Sequence, residues 1–390
     1  MRLLVVGESP YRSGGNFSAV LSNAGLEVTQ VTFKSRRERL RPPTRLKALY
    51  GASTVVNLRD RDTKALGQLL ATGWDAVFLY GDHSHPAIQS FLPIAAHYDG
   101  PPVVLGLHNH QCSTGANPLR LLEISSGVVF LNENSQTFFL QQSPGLAQKE
   151  VRFIPSLYLP RISEYRRRPS QPRGLRESLR IAAGGRWITA ESGSPWHDQS
   201  GRYNFVNVLS RLAQTGARID IFGQPRALSS DASRDLSVNR RPQAPVRSKL
   251  VRSEYLSLQE HFPNIRLRGT TRYFESKIAP ANFFVLKGFT SADQIYEPFE
   301  QMNYQLRYSS SLLAGVPTLV AAGTDAIVEA DVGDFGWGHV YEDPEILLSS
   351  RIITHLYHEI RRSGDLEGVR EANSIDRYTS TVLGLLFDVA

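Results

Sequence analysis

Short apolar runs alternate along this chain with segments whose apolar residues recur at helical spacing. Residues 3–6 (Leu-Leu-Val-Val) form the first run, and a polar, glycine-containing stretch from Gly7 to Gly15 follows it. A helix is predicted over about 16–24, stopped by Gly25, and then a strand over 27–33. Further strands are predicted at 75–80, 102–107, 127–131 and 151–154. Short strands separated by helix-length segments imply βαβ units and a parallel sheet. The alternation breaks between Pro160 and Gly174, where Pro160, Pro169, Pro172 and four arginines (166, 167, 168 and 173) crowd together. It then restarts, with strands predicted at 187–190, 217–222, 265–267, 282–286 and 318–321. An amphipathic helix is expected at 203–212, and the tail reads as helical over 352–362 and about 375–387. Residues 226–252 are basic, polar and proline-containing and read as a surface excursion.

A chain of 390 residues is too long for one compact core and fits two domains. The expected division is 1–160, a linker over 161–175, a second domain over 176–370 and a terminal helical segment over 371–390. Both domains read as α/β. Ligands of such sheets bind outside the carboxyl ends of the strands.

The strongest candidate for chemistry is the stretch from Gln305 to Ala322. Arg307, Ser309, Ser310 and Ser311 crowd a predicted helix start, where backbone N–H groups and the helix dipole favour an anion. Leu312, Leu313 and Ala314 pack that helix, Gly315 ends it, and residues 316–320 follow as a buried strand. An ordinary serine-capped connection fits the same pattern.

Composition narrows the classes. No apolar run reaches the roughly 18 residues that a membrane helix needs, and Arg2 leads straight into a strand with no visible cleavable signal. One cysteine, Cys112, excludes an internal disulfide and a cysteine-based zinc cluster, and a cytoplasmic protein is expected. The net charge of +7 is uneven: the run from Lys34 to Lys47 sets seven basic residues against Glu38 alone. That run points to an anionic acceptor or a weak peripheral membrane contact, since Pro42-Pro43 interrupts any long amphipathic helix. Nucleic acid is disfavoured because the basic segments lack interleaved aromatics. Gly7-Glu8-Ser9-Pro10 lacks the glycine spacing of a dinucleotide site, so no redox cofactor is expected. His83, His85, His108 and His110 could pair on adjacent strand ends, but only Asp82 stands near to complete a ligand set, and no metal is expected.

An ordered series of short motifs resembles glycosyltransferases of the GT-B fold, most of all family 4. The series runs through Gly14-Gly15-Asn16 with Gly25-Leu26-Glu27-Val28, Trp74-Asp75-Ala76-Val77, and Pro102-Val103-Val104 to His108. It continues with Phe153-Ile154-Pro155-Ser156, residues 219–223, 264–269 and 281–286, Ala314-Gly315-Val316-Pro317 and Val328-Glu329. The resemblance implies two Rossmann-like domains with a cleft between them, a nucleotide-sugar donor (UDP or GDP) on the C-terminal domain and a hydroxyl acceptor on the N-terminal one. The acceptor is expected on a glycan, a lipid or a small molecule. It also implies metal-independent, retaining transfer and a final helix crossing back to the N-terminal domain. Arg202, after Ser200-Gly201, falls where the family has a phosphate-binding lysine; Arg307 and Lys287 are further cations for the leaving group. His108 would touch the donor sugar or relay the acceptor proton. Glu297 resembles the first glutamate of the donor motif, while Ser310 stands in place of the second. Glu329 would bind ribose or sugar, and Gly14, Gly15 and Asn16 would let acceptor or phosphates approach the backbone. Two rivals remain: a sugar-nucleotide epimerase of the same fold, and a non-catalytic glycosyltransferase-like partner subunit.

Overall fold

The computed structural model of the chain describes residues 1–7, 14–33, 52, 54–59, 62–80, 86–107, 116–166, 179–188, 205–225, 255–269, 274–286 and 306–390. They form two compact units, Met1–Ile162 with Asn373–Ala390, and Ser163–Ala372.

The first unit is built on a seven-stranded, all-parallel sheet: β1 (Arg2–Val6), β2 (Glu27–Phe33), β3 (Thr54–Leu58), β4 (Ala76–Tyr80), β5 (Val103–Gly106), β6 (Gly127–Phe130) and β7 (Glu150–Phe153). Its order is β3-β2-β1-β4-β5-β6-β7. The central strands are apolar at nearly every position because helices cover both faces, and Leu3 to Val6 and Ala76 to Leu79 are fully buried. Gln30 is a buried exception, satisfied by the Ser18 hydroxyl at 2.6 Å and by the carbonyl oxygens of Val5 and Val31. The helix Thr379–Val389 packs on β6 and β7. Gly127 leaves room for it: a Cβ there would lie 2.8 Å from a methyl of Leu385. Asp376 ties this tail to the end of the first segment, accepting from Arg161 at 3.1 Å and from the Ile162 N–H at 2.8 Å.

The second unit carries a six-stranded parallel sheet: β8 (Arg180–Ile188), β9 (Arg218–Pro225), β10 (Ile265–Gly269), β11 (Phe283–Val285), β12 (Thr318–Ala321) and β13 (Gly338–Tyr341). Its order is β10-β9-β8-β11-β12-β13. Both sheets therefore reverse direction beside their first strand, between β1 and β4 and between β8 and β11. This is the doubly wound order of a Rossmann fold, and the reversal opens a crevice at the carboxyl ends of the two strands flanking it.

Four strands differ from the periodicity. β3 is a half-exposed edge strand and β13 holds few apolar residues, so neither shows a buried run in the sequence. β8 begins at Arg180 rather than 187, because Ala182, Ala183, Gly184 and Gly185 carry almost no strand signature of their own. β9 also continues past Gly223 to Pro225.

Candidate functional site

The helix Leu306–Ala314 leads into β12, whose neighbour β11 runs parallel to it, so the helix's first turn lies on the carboxyl-end side of the strands, beside the β8/β11 reversal. Arg307 sits in that first turn. Its Nη1 donates to the Gly184 carbonyl at 3.0 Å, and its guanidinium lies 5.9 Å from the Phe205 ring centre. Phe205 is fully buried and heads the helix Val206–Gln214, the first helix after β8 among the described residues; being apolar, it supplies no side-chain cap. Arg307 thus bridges the first strand of the unit to the starts of the two helices on either side of the reversal.

Gly184 is where this bridge needs glycine. Its φ is +108°, and the β8–β9 register shifts between Gly184 and Trp187. A Cβ at this position would sit 1.8 Å from the Phe222 carbonyl oxygen. The strand bulges at a point only a residue without a side chain can occupy.

The three serines are held within the unit. The Ser309 side chain hydrogen-bonds Tyr165, Ser310 Oγ donates to Glu275 Oε1 at 3.1 Å, and Ser311 Oγ donates to the Tyr308 carbonyl at 2.7 Å. Ser309 and Ser311 are buried. Ser310, where the resembling family has a glutamate, is thus paired with a carboxylate brought by the helix Phe274–Ile278. Burial pushes the Tyr165 and Tyr308 hydroxyls well above the usual phenol range, so both stay protonated. At the other end of the helix, Gly315 adopts φ +66° and its N–H closes on Leu312 O. Arg370, 1% exposed, donates to the same carbonyl through Nε at 3.0 Å and Nη2 at 2.8 Å. Its Nη1 pairs with Glu367, and its guanidinium stands over the Tyr165 ring. Cationic donors suit a helix C-terminus, where the carbonyls carry partial negative charge.

Glu329 serves the loop after β12. Its carboxylate accepts from the backbone N–H groups of Gly323, Thr324 and Asp325 at 3.0, 2.8 and 2.9 Å. Asp325 caps the same helix, Ala326–Phe335, by accepting from the Val328 N–H.

In the first unit, Gly14, Gly15 and Asn16 open the helix Gly14–Asn23, which follows β1. The expectations for His108, Arg202, Lys287 and Glu297, for His83, His85 and His110, and for the run from Lys34 to Lys47 lie outside the described residues. In chain order, Arg202 follows β8, Lys287 and Glu297 follow β11, and His108 follows β5. Gly184, Phe205, Tyr165, Glu275 and Arg370 were not singled out by the sequence. Only the Gly184-Gly185 pair inside a strand carried a signal, that of a bulge. Among the described residues, no group of three or more His, Cys, Asp or Glu side chains is placed to hold a metal. None of the described helices is long and apolar enough to cross a membrane.

No family model matches the chain, and no curated protein matches it in sequence. Solved structures match over its whole length. HepE of Anabaena, in complex with UDP and glucose, aligns with a TM-score of 0.62 at 13% identity, covering 100% of both chains. A glycosyltransferase from Rickettsia africae aligns with a TM-score of 0.61 at 9% identity, covering 100% of this chain and 98% of that one. UDP-N-acetylglucosamine 2-epimerase from Rickettsia bellii aligns at 0.51 and 9% identity, covering 100% and 96%. With two doubly wound parallel sheets and full-length likeness to such structures, the chain has the GT-B fold.

Proposed function

We propose that this chain is a cytoplasmic glycosyltransferase, near family 4, that moves a hexosyl group from a nucleotide-diphosphate sugar to an acceptor hydroxyl without a metal and with retention. The observation that carries the reading is Arg307, held by Gly184 and Phe205 at the strand reversal of the second sheet. In this reaction the bond from the anomeric carbon to the phosphate oxygen breaks, and the bonding electrons pass to the diphosphate. Arg307, Arg202 and first-turn amides of the helix Leu306–Ala314 take up that charge, with Lys287 as a further cation. The serine hydroxyls, engaged with Tyr165, Glu275 and the backbone, hold the helix while its amides and Arg307 meet the anion. Glu329 shapes the loop after β12 and contributes to the sugar nucleotide through that loop. We assign the donor to the second unit and the acceptor to the first, with Gly14, Gly15 and Asn16 at the acceptor or phosphate side. His108 relays the acceptor proton, and Glu297 contacts the donor sugar. The likeness to HepE bound to UDP and glucose supports a UDP-sugar donor.

The likeness to a UDP-N-acetylglucosamine 2-epimerase supports a second reading, epimerisation of the sugar nucleotide itself. Incubation with a sugar nucleotide alone separates the two: an epimer appears in one case, while transfer requires an acceptor.

A thermal-shift screen of UDP, GDP, ADP and TDP and their sugars tests the proposal. One nucleoside diphosphate should raise the melting temperature with occupancy, unaffected by a chelator, and R307A should abolish most of the shift. If no nucleotide shifts the wild-type chain, the proposal fails and a non-catalytic partner role takes its place.

A further inference from the structure

We infer that the Glu275 carboxylate is a ligand for a sugar diol of the donor, either the 2′- and 3′-hydroxyls of ribose or neighbouring hydroxyls of the transferred sugar; this rests on the transfer reading above. Ser310 stands where the resembling family carries a glutamate. The fold returns a carboxylate to that place from 35 positions away, since Ser310 Oγ donates to Glu275 Oε1 at 3.1 Å. Both residues are half-buried and keep part of their surface in solvent.

Packing fixes where this carboxylate stands. Phe274, the residue before it, is buried and meets Phe222 and Phe284 edge-on, with ring centres 5.7 and 5.8 Å away. Phe222 on β9 is level with Gly184 of β8, and Phe284 on β11 is level with Ala182. Phe274 therefore spans β8, which lies between those two strands at the reversal. The helix Phe274–Ile278 follows β10, so Glu275, its second residue, stands on the carboxyl-end side of the sheet, where ligands of such folds bind. The transfer reading puts the diphosphate at the first turn of the helix Leu306–Ala314. Ser310 lies about one helical turn further on, roughly 5 Å along the axis. In a sugar nucleotide each end of the diphosphate carries a sugar, so a side chain one turn away meets a ring bearing hydroxyls. A carboxylate repels phosphate and accepts from hydroxyls, as the acidic side chain that holds ribose in dinucleotide-binding folds does. Glu275 is engaged elsewhere too. A carboxylate has about four acceptor directions on its two oxygens, so bonding a diol requires neither partner to leave.

The test measures affinity by titration calorimetry for inorganic pyrophosphate, UDP, GDP, their 2′-deoxy forms, UDP-glucose and GDP-mannose. E275A should weaken the sugar nucleotide that binds by roughly tenfold while leaving pyrophosphate unchanged. If the diol is that of ribose, the wild-type chain should prefer UDP or GDP to its 2′-deoxy form by a similar factor, and E275A should lose that preference. If it is that of the transferred sugar, E275A should weaken UDP-glucose or GDP-mannose and spare UDP and GDP. The variant E275A/S310E moves the carboxylate across the hydrogen bond and should regain most of the lost affinity, which a contact that only ties two helices together would not. If E275A does not fold, E275Q carries the same comparison. Every probe bound as by wild type, pyrophosphate weakened in step with the others, or no recovery in E275A/S310E overturns the diol role and leaves the transfer reading intact. A wild-type chain that binds no nucleotide overturns both.

Discussion

Glu329 shows how a single carboxylate can be drawn into architecture. Three successive backbone N–H groups converge on its two oxygens within 2.8–3.0 Å, closing the turn that links β12 to the next helix. A charge-accepting group that satisfies several amides stabilises more than a neutral one. E329A should lower stability by about 1–2 kcal/mol, read from the urea midpoint, with E329Q falling between it and wild type. If E329A melts as wild type does but binds nucleotide more weakly, the carboxylate's main partner is the ligand. Ser310 makes the complementary point. The motif series marks it as the place of a lost glutamate, yet a carboxylate stands beside it, supplied by Glu275 from elsewhere in the chain. Linear spacing had no means of showing that substitution.

The helix Leu306–Ala314 is anchored at its first turn by Arg307, at its middle by Ser309 and Ser310 and at its end by Arg370. Arg370 is almost completely buried and holds one carbonyl with two donors. Replacing it by a residue of similar bulk, R370M, removes a buried charge-assisted contact. It should destabilise the protein by roughly 2–4 kcal/mol in chemical denaturation. A loss below the resolution of that measurement would mean the Gly315 N–H already suffices for Leu312 O. On β13, burial holds the His339 imidazole below its ordinary value of 6.5, with Glu359 opposing the shift. A lowered value in the folded state means the unfolded chain takes up the proton first on acidification. Stability from this group is present above about pH 6.5 and falls as the pH drops through that value. H339Q should therefore flatten the dependence of melting temperature on pH between about 5.5 and 7.5. A slope identical to wild type would assign the dependence to other groups.

The first unit is discontinuous in the chain, since Asn373–Ala390 completes a body begun by Met1–Ile162. Val382, Leu385 and Leu386 bury their side chains there, and Arg152 reaches Asp388 at 2.6 Å. Deleting 373–390 should remove on the order of 5 kcal/mol of apolar burial from the first unit. The expected readout is an earlier unfolding transition for that unit, with the second unit's transition unchanged. Two coincident, unshifted transitions would show that the tail contributes no folding energy.

The local pattern alone determined much of this protein. Buried parallel strands such as 76–80 and 318–321 read directly from the sequence, because a strand covered on both faces is apolar at nearly every position. The Gly315 stop and the Arg307 helix start were legible for the same reason: caps and φ > 0 positions impose residue types locally. Strands whose stability comes from their neighbours were not legible, as at β3, β8 and β13. Nor were the partners of Arg307, Ser310 and Leu312 O, which lie between 35 and 123 positions away. Which carbonyl meets which guanidinium depends on strand order and on one glycine's approach to a neighbouring backbone, and those are settled only when the sheet is assembled.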